Sequence, residues 1–164
     1  MKKLLITAVI ALFTFGAMNA QTFKIGGSLG IPVGDASDFY SVAVGADAYF
    51  YFTDIDDLIS IGGTAGFRNF FGKEYDTVLG TFQSEDSLFL PVAGAARIKL
   101  FGMISGGIDL GYAIPLSDFL DGGLYFKPVV SVDLANRIEL FVSYESISDY
   151  INYGILNCGI LFQF

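Results

Sequence analysis

Asp54, Asp56 and Asp57 lie within four residues of one another, and clustered carboxylates are what a hard cation such as calcium prefers. The run Thr53-Asp54-Ile55-Asp56-Asp57 lacks the glycine and distal glutamate of a calcium loop, so it reads as a solvated turn. Paired glycines recur at Gly26-Gly27, Gly62-Gly63 and Gly106-Gly107. A phosphate-cradling loop would need a helix after the glycines. These lie inside strand-like sequence, where glycine permits curvature and close packing. Cys158 is the single cysteine, which forbids an internal disulfide, and it falls among apolar residues where a thiol is inert. The chain has no histidine, which removes Ser-His-Asp, Cys-His and histidine-metal chemistry together. No catalytic, cofactor-binding or metal-binding residue is expected.

What remains is a set of ten charged residues embedded in apolar sequence. Five are basic (Lys24, Arg68, Arg97, Lys99, Lys127) and five are acidic (Asp47, Asp109, Asp133, Glu139, Glu145). Each occupies the polar phase of a period-two alternation, the signature of a strand with two unlike faces. Eight such segments follow one another, at about 22–33, 40–52, 58–71, 88–101, 103–114, 123–134, 138–146 and 153–164. The second carries Val42, Val44, Ala46, Ala48, Phe50 and Phe52 on one face, with Asp47, Tyr49 and Tyr51 on the other. The eighth carries Leu156, Cys158, Ile160, Phe162 and Phe164 on its apolar face. No charge falls on any apolar face. The connections hold Lys73 and Arg137 against twelve acidic residues.

Residues 1–20 read as a secretory signal peptide. Lys2 and Lys3 supply the positive start, Leu4 to Phe15 is an uncharged and largely apolar run, and small residues precede a cut after Ala20. The run falls short of the ~20 residues of a spanning helix. The mature chain, 21–164, is one domain with net charge −10. That charge excludes nucleic acid as a partner, since phosphate binding wants a basic surface.

Alternation alone fits a soluble barrel or sandwich with its charges in water, or a transmembrane barrel with its charges inside. Three features favour the membrane. The segments match the ~9–11 residues of a tilted membrane strand, whereas soluble strands run about 5–6. The charged face balances its signs and is rich in small residues, as a narrow eight-stranded interior requires. Links near 53–57, 102 and 135–137 are short, while those near 34–39, 72–87, 115–122 and 147–152 are longer. Outer-membrane barrels alternate short periplasmic turns with longer external loops in this way. The expected fold is an all-β, eight-stranded, antiparallel up-and-down transmembrane β-barrel with both ends on the periplasmic side. Pro91 and Pro128 fall inside strands, where each removes a ladder donor, and a bulge or strand end is expected near each.

With its signal peptide, eight alternating segments and the ending Gly159-Ile160-Leu161-Phe162-Gln163-Phe164, the chain resembles the small outer-membrane β-barrel proteins of Gram-negative bacteria, of the OmpA/OmpX-like type. The resemblance covers Phe23 to Phe164. It implies a cell outer-membrane location and a lipid-bilayer partner. It also implies that Phe162 and Phe164 are read by the barrel-assembly machinery. The enzymes familiar among such barrels use a histidine, so this chain is expected to be non-enzymatic.

Two sites are then open. The ten interior charges, packed with bulky Tyr49, Tyr51, Phe89, Tyr125 and Phe141, suggest a sealed plug, with a narrow pore for small solutes or ions as the alternative. Arg97 or Lys99 with Asp109, and Lys127 with Glu139 or Glu145, are adjacent-strand pairing candidates. The longest connection, with Lys73, Glu74, Tyr75, Asp76, Phe82, Glu85 and Asp86, is a candidate recognition loop for an unknown external ligand, its acidity favouring cations. A soluble periplasmic barrel holding a hydrophobic ligand is the remaining alternative.

Overall fold

The computed structural model describes residues 22–56, 58–77, 80–117, 121–135, 137–148 and 152–164. The expected signal peptide, Asp57 of the acidic turn, and Val78 and Leu79 of the longest connection lie outside the described residues.

The chain runs β1 (Thr22–Val33), a short helix α1 (Ala36–Phe39), β2 (Tyr40–Ile55), β3 (Ile59–Gly72), β4 (Glu74–Thr77), β5 (Gly80–Gln83), β6 (Ser87–Phe101), β7 (Ile104–Pro115), β8 (Gly123–Ala135), β9 (Ile138–Ser148) and β10 (Asn152–Gln163). Eight of the strands close into an antiparallel barrel in the ring order β1-β2-β3-β6-β7-β8-β9-β10. The seam between β10 and β1 is fully laddered, with Lys24 opposite Gln163 and Leu29 opposite Cys158. Closure leaves no open edge, which is what a sheet needs where no water can satisfy its backbone.

The distribution of side chains is inverted relative to a soluble domain. Leu29, Leu110 and Val142 are 61%, 54% and 60% exposed on the outer face, whereas Arg68, Asp109, Lys127 and Glu145 are 0% exposed inside. An apolar face of this extent is stable against hydrocarbon and not against water. The barrel strands are eleven to sixteen residues long, enough to cross a bilayer when tilted. Outward aromatics stand near both ends: Phe52, Phe101 and Phe164 by the short turns, and Phe39, Tyr112 and Tyr144 towards the longer connections.

The register explains local choices. A Cβ on Gly62 would meet the Phe50 carbonyl and stand 2.7 Å from Tyr51 Cα, so only glycine lets β2 and β3 approach there. Gly102 turns β6 into β7 at φ 52°. Register shifts at Tyr51/Thr53, Lys99/Phe101 and Asp133/Ala135 adjoin the three short turns.

The expectation at the two prolines needs correction. Pro91 and Pro128 produce no bulge. Pro91 pairs with Ala113 in an unbroken register, and the ladders on the other side simply skip it, resuming at Phe89 opposite Arg68 and at Val92 opposite Ala65. The β8–β9 ladder skips Lys127 and Pro128 in the same way. A missing N–H interrupts the ladder over two positions without shifting the register on either side. The longest connection, in turn, is not plain loop: β4 and β5 form their own hairpin, with Tyr75 opposite Phe82.

Candidate functional site

The lumen is filled in layers. At the end carrying the longer connections, Tyr40, Phe70, Phe89 and Tyr153 converge from β2, β3, β6 and β10. Their rings pack tilted or edge-to-face at centroid distances of 5.1–5.9 Å. The Tyr40 and Ser87 hydroxyls share a hydrogen bond of 2.5 Å, and Ala36 of α1 is buried against the same cluster. Of these four, only Phe89 is among the bulky interior residues expected from the sequence. The available signal was an aromatic in the polar phase near a strand's loop end.

Below this plug lie Asp47, Arg68, Arg97, Asp109, Lys127 and Glu145, all buried. Arg68 Nε donates to both Glu145 carboxylate oxygens at 2.7 and 2.9 Å, and its Nη2 donates to both Asp47 oxygens at 3.0 Å. The same Nη2 reaches the Tyr125 hydroxyl at 3.2 Å. Lys127 Nζ donates to Asp47 Oδ2 at 2.9 Å and to the Tyr49 hydroxyl at 3.2 Å. Arg97 Nη1 donates to Asp109 Oδ1 at 2.7 Å, and the Tyr49 hydroxyl donates to Asp109 Oδ2 at 2.8 Å. Asn157 donates to Glu145 Oε2 at 3.2 Å. Three cations and three carboxylates leave the layer neutral, with both oxygens of each carboxylate engaged. Arg97 and Lys127 also lie over the Tyr49 ring at 5.2 and 5.8 Å, and Lys127 lies 5.0 Å from the Phe141 centroid.

Lys24 and Glu139 form a separate pair at 2.5 Å nearer the short turns. The other two residues of the expected interior set, Lys99 and Asp133, stand at that mouth. Lys99 is exposed, Asp133 is half-buried, and neither has an ion-pair partner among the described residues.

Of the pairing candidates, Arg97 with Asp109 is present and Lys127 with Glu139 or Glu145 is not. Phe126 pairs with Ser146, which sets Lys127 beside Glu145 in the register. Arg68 nevertheless takes both Glu145 oxygens, and Lys127 reaches across to Asp47. In so narrow a ring the opposite wall is as close as the adjacent strand.

The candidate recognition loop is tied to α1 at its base, through Lys73. Lys73 N donates to the Phe39 carbonyl at 2.8 Å and Lys73 Nζ to the Ser37 carbonyl at 2.5 Å. Asp86 accepts from Gly72 N at 2.9 Å, while the Glu74 and Glu85 side chains are exposed. Tyr75 and Asp76 lie on β4 and Phe82 on β5. At the opposite end Phe162 and Phe164 are exposed on the outer face, and Phe164 N donates to the Phe23 carbonyl at 2.9 Å. In the acidic turn, Asp54 accepts from the Ser60 hydroxyl and Asp56 has φ 51°.

Compared as a sequence, the chain matches no protein-family model and no curated protein. As a structure it is similar to the Yersinia pestis outer membrane protein Ail in a phospholipid bilayer nanodisc, with TM-score 0.59 and 15% identity over 88% of this chain and 98% of that one. A crystal structure of Ail, the attachment invasion locus protein of Yersinia pestis, in complex with the heparin analogue sucrose octasulfate aligns at TM-score 0.52 and 14% identity, over 88% and 97% of the two chains. A de novo designed transmembrane β-barrel aligns at TM-score 0.56 and 11% identity, over 87% and 95%. At these identities the likeness is one of fold: the chain has the closed eight-stranded architecture of transmembrane β-barrels.

Proposed function

We propose that the chain is a non-enzymatic, integral outer-membrane β-barrel, exported by residues 1–20 and sealed along its lumen, that acts through its external connections. The observation that carries this reading is the double closure of the lumen, by an aromatic plug above and a neutral ion-pair layer below. A barrel closed in this way is a rigid mount for loops rather than a conduit. The short turns face the periplasm, and Phe162 and Phe164 present the outward aromatic signal to the assembly machinery.

The polyanion held by the Ail structure is not the ligand class this chain suits. Its longer connections carry Asp35, Asp38, Glu74, Asp76, Glu85 and Asp86 against Lys73 as their one basic residue, so a cationic partner is favoured. The soluble alternative would need an apolar lumen to hold its ligand, and the lumen instead carries buried charge. Fractionation of cells expressing the full chain tests the reading. Expected is an outer-membrane protein whose gel mobility changes on boiling, with the 73–86 segment cleaved by protease added to intact cells. Recovery in the soluble periplasmic fraction overturns it.

A further inference from the structure

Beyond its two closing layers the lumen ends in an open mouth on the short-turn side. Beneath the ion-pair layer, on the short-turn side, a polar cavity of about 220 Å3 is lined by Lys24, Tyr51, Arg97, Lys99, Asp133 and Gln163, among others. A second cavity of about 430 Å3 shares Lys99, Asp133, Glu139 and Gln163 with it and continues to Met103 and Arg137. Interiors of eight-stranded barrels are normally filled by side chains, so unfilled polar space here is the exception.

Three of the seven charged residues around these cavities are already committed. Lys24 holds Glu139 and Arg97 holds Asp109. Lys99, Arg137, Asp54 and Asp133 are not: among the described residues none of the four has an ion-pair partner, and Asp54 accepts only from the Ser60 hydroxyl. The two adjoining cavities thus offer uncommitted cations and uncommitted carboxylates together, with Lys99, Asp133 and the Gln163 amide common to both and the Tyr51 hydroxyl in the first. A simple anion would leave Asp54 and Asp133 uncompensated, and a simple cation would leave Lys99 and Arg137 so. A group bearing both charges matches the site. The two adjoining volumes, one below and one within the ~300–1,000 Å3 typical of ligand pockets, suit something between an amino acid and a short peptide.

We propose that the short-turn mouth of the barrel binds a small zwitterion, an amino acid or a short peptide. Its carboxylate lies against Lys99 and Arg137, its ammonium against Asp133, and Gln163 hydrogen-bonds between them.

The test is calorimetric titration of the whole chain refolded in non-ionic detergent, since a zwitterionic headgroup would compete. The probes are diglycine, N-acetyldiglycine and diglycine amide. Expected is saturable binding of diglycine, with about a tenfold or greater loss when either terminus is blocked. Lys99→Gln should remove the penalty for blocking the carboxylate, and Asp133→Asn the penalty for blocking the amine. Neither side chain supports another ion pair, and the change of gel mobility on boiling verifies that each variant is folded. Amide NMR shifts in the parent chain give a reading independent of the variants. Diglycine should move Lys99, Ser105, Asp133 and Gln163. Absence of saturable binding, equal binding of the blocked peptides, or shifts confined to the loop end overturns the proposal.

Discussion

Arg68 and Glu145 stand on β3 and β9, four places apart in a ring of eight, and the guanidinium spans the lumen to hold both carboxylate oxygens. Lys127 on β8 and Asp47 on β2 are likewise four places apart, and Asp47 joins the two contacts by also holding Arg68. Opposite walls are therefore braced by charge, where a soluble barrel would use apolar packing. Removing one partner of such a pair strands the other in a medium that solvates it poorly.

Arg68→Ala leaves Asp47 and Glu145 without their shared cation, and its cost is expected at about 3–5 kcal/mol. Urea unfolding in detergent, followed by gel mobility without boiling, measures it. A midpoint equal to the parent's would show that the brace contributes nothing.

Arg97→Ala and Lys99→Ala should separate cleanly. Arg97 is buried on Asp109 and should lose a comparable ~3–5 kcal/mol, while exposed Lys99 should stay within about 0.5 kcal/mol. Equal effects would place the two side chains in the same environment.

Outward positions should follow depth. Val142→Arg, in the middle of β9, is expected to cost about 2–4 kcal/mol in lipid, and Leu134→Arg, near the end of β8, about 0–1 kcal/mol. Refolding into vesicles of defined thickness reads the difference, and equal costs at both sites would contradict the lipid-facing assignment.

The two alternation phases differ at glycine as well. Gly62→Ala drives a Cβ into the β2 backbone and should cost about 1–3 kcal/mol, whereas Gly27→Ala meets its nearest atom at 3.5 Å and should be nearly neutral. The urea midpoints of the two variants check this.

Side, but not depth or partner, was legible in the chain. Period-two alternation puts Arg68, Lys127 and Lys99 in the same phase, because parity depends only on the pleat. Lys99 stands at the mouth rather than in the ion-pair layer because it lies two residues beyond Arg97, beside a register shift. That position depends on strand tilt and stagger, which parity does not carry. Lys127 passes over its register neighbour Glu145 for Asp47 because pairing across a closed ring is set by barrel diameter. The aromatic plug was hidden for a related reason. Parity sets Phe71 outward and Phe70 inward, but that Phe70 packs in a plug is evident only once Tyr40, Phe89 and Tyr153 are brought beside it. The β4–β5 hairpin gave little signal, being two four-residue strands.

Sealing of the lumen is tested most directly by single-channel recording of residues 21–164, refolded into a planar bilayer after their mobility confirms folding. Expected is inserted protein that passes no current across the working voltage range. Reproducible current steps from the parent chain would contradict the closed lumen and make the pore reading the correct one.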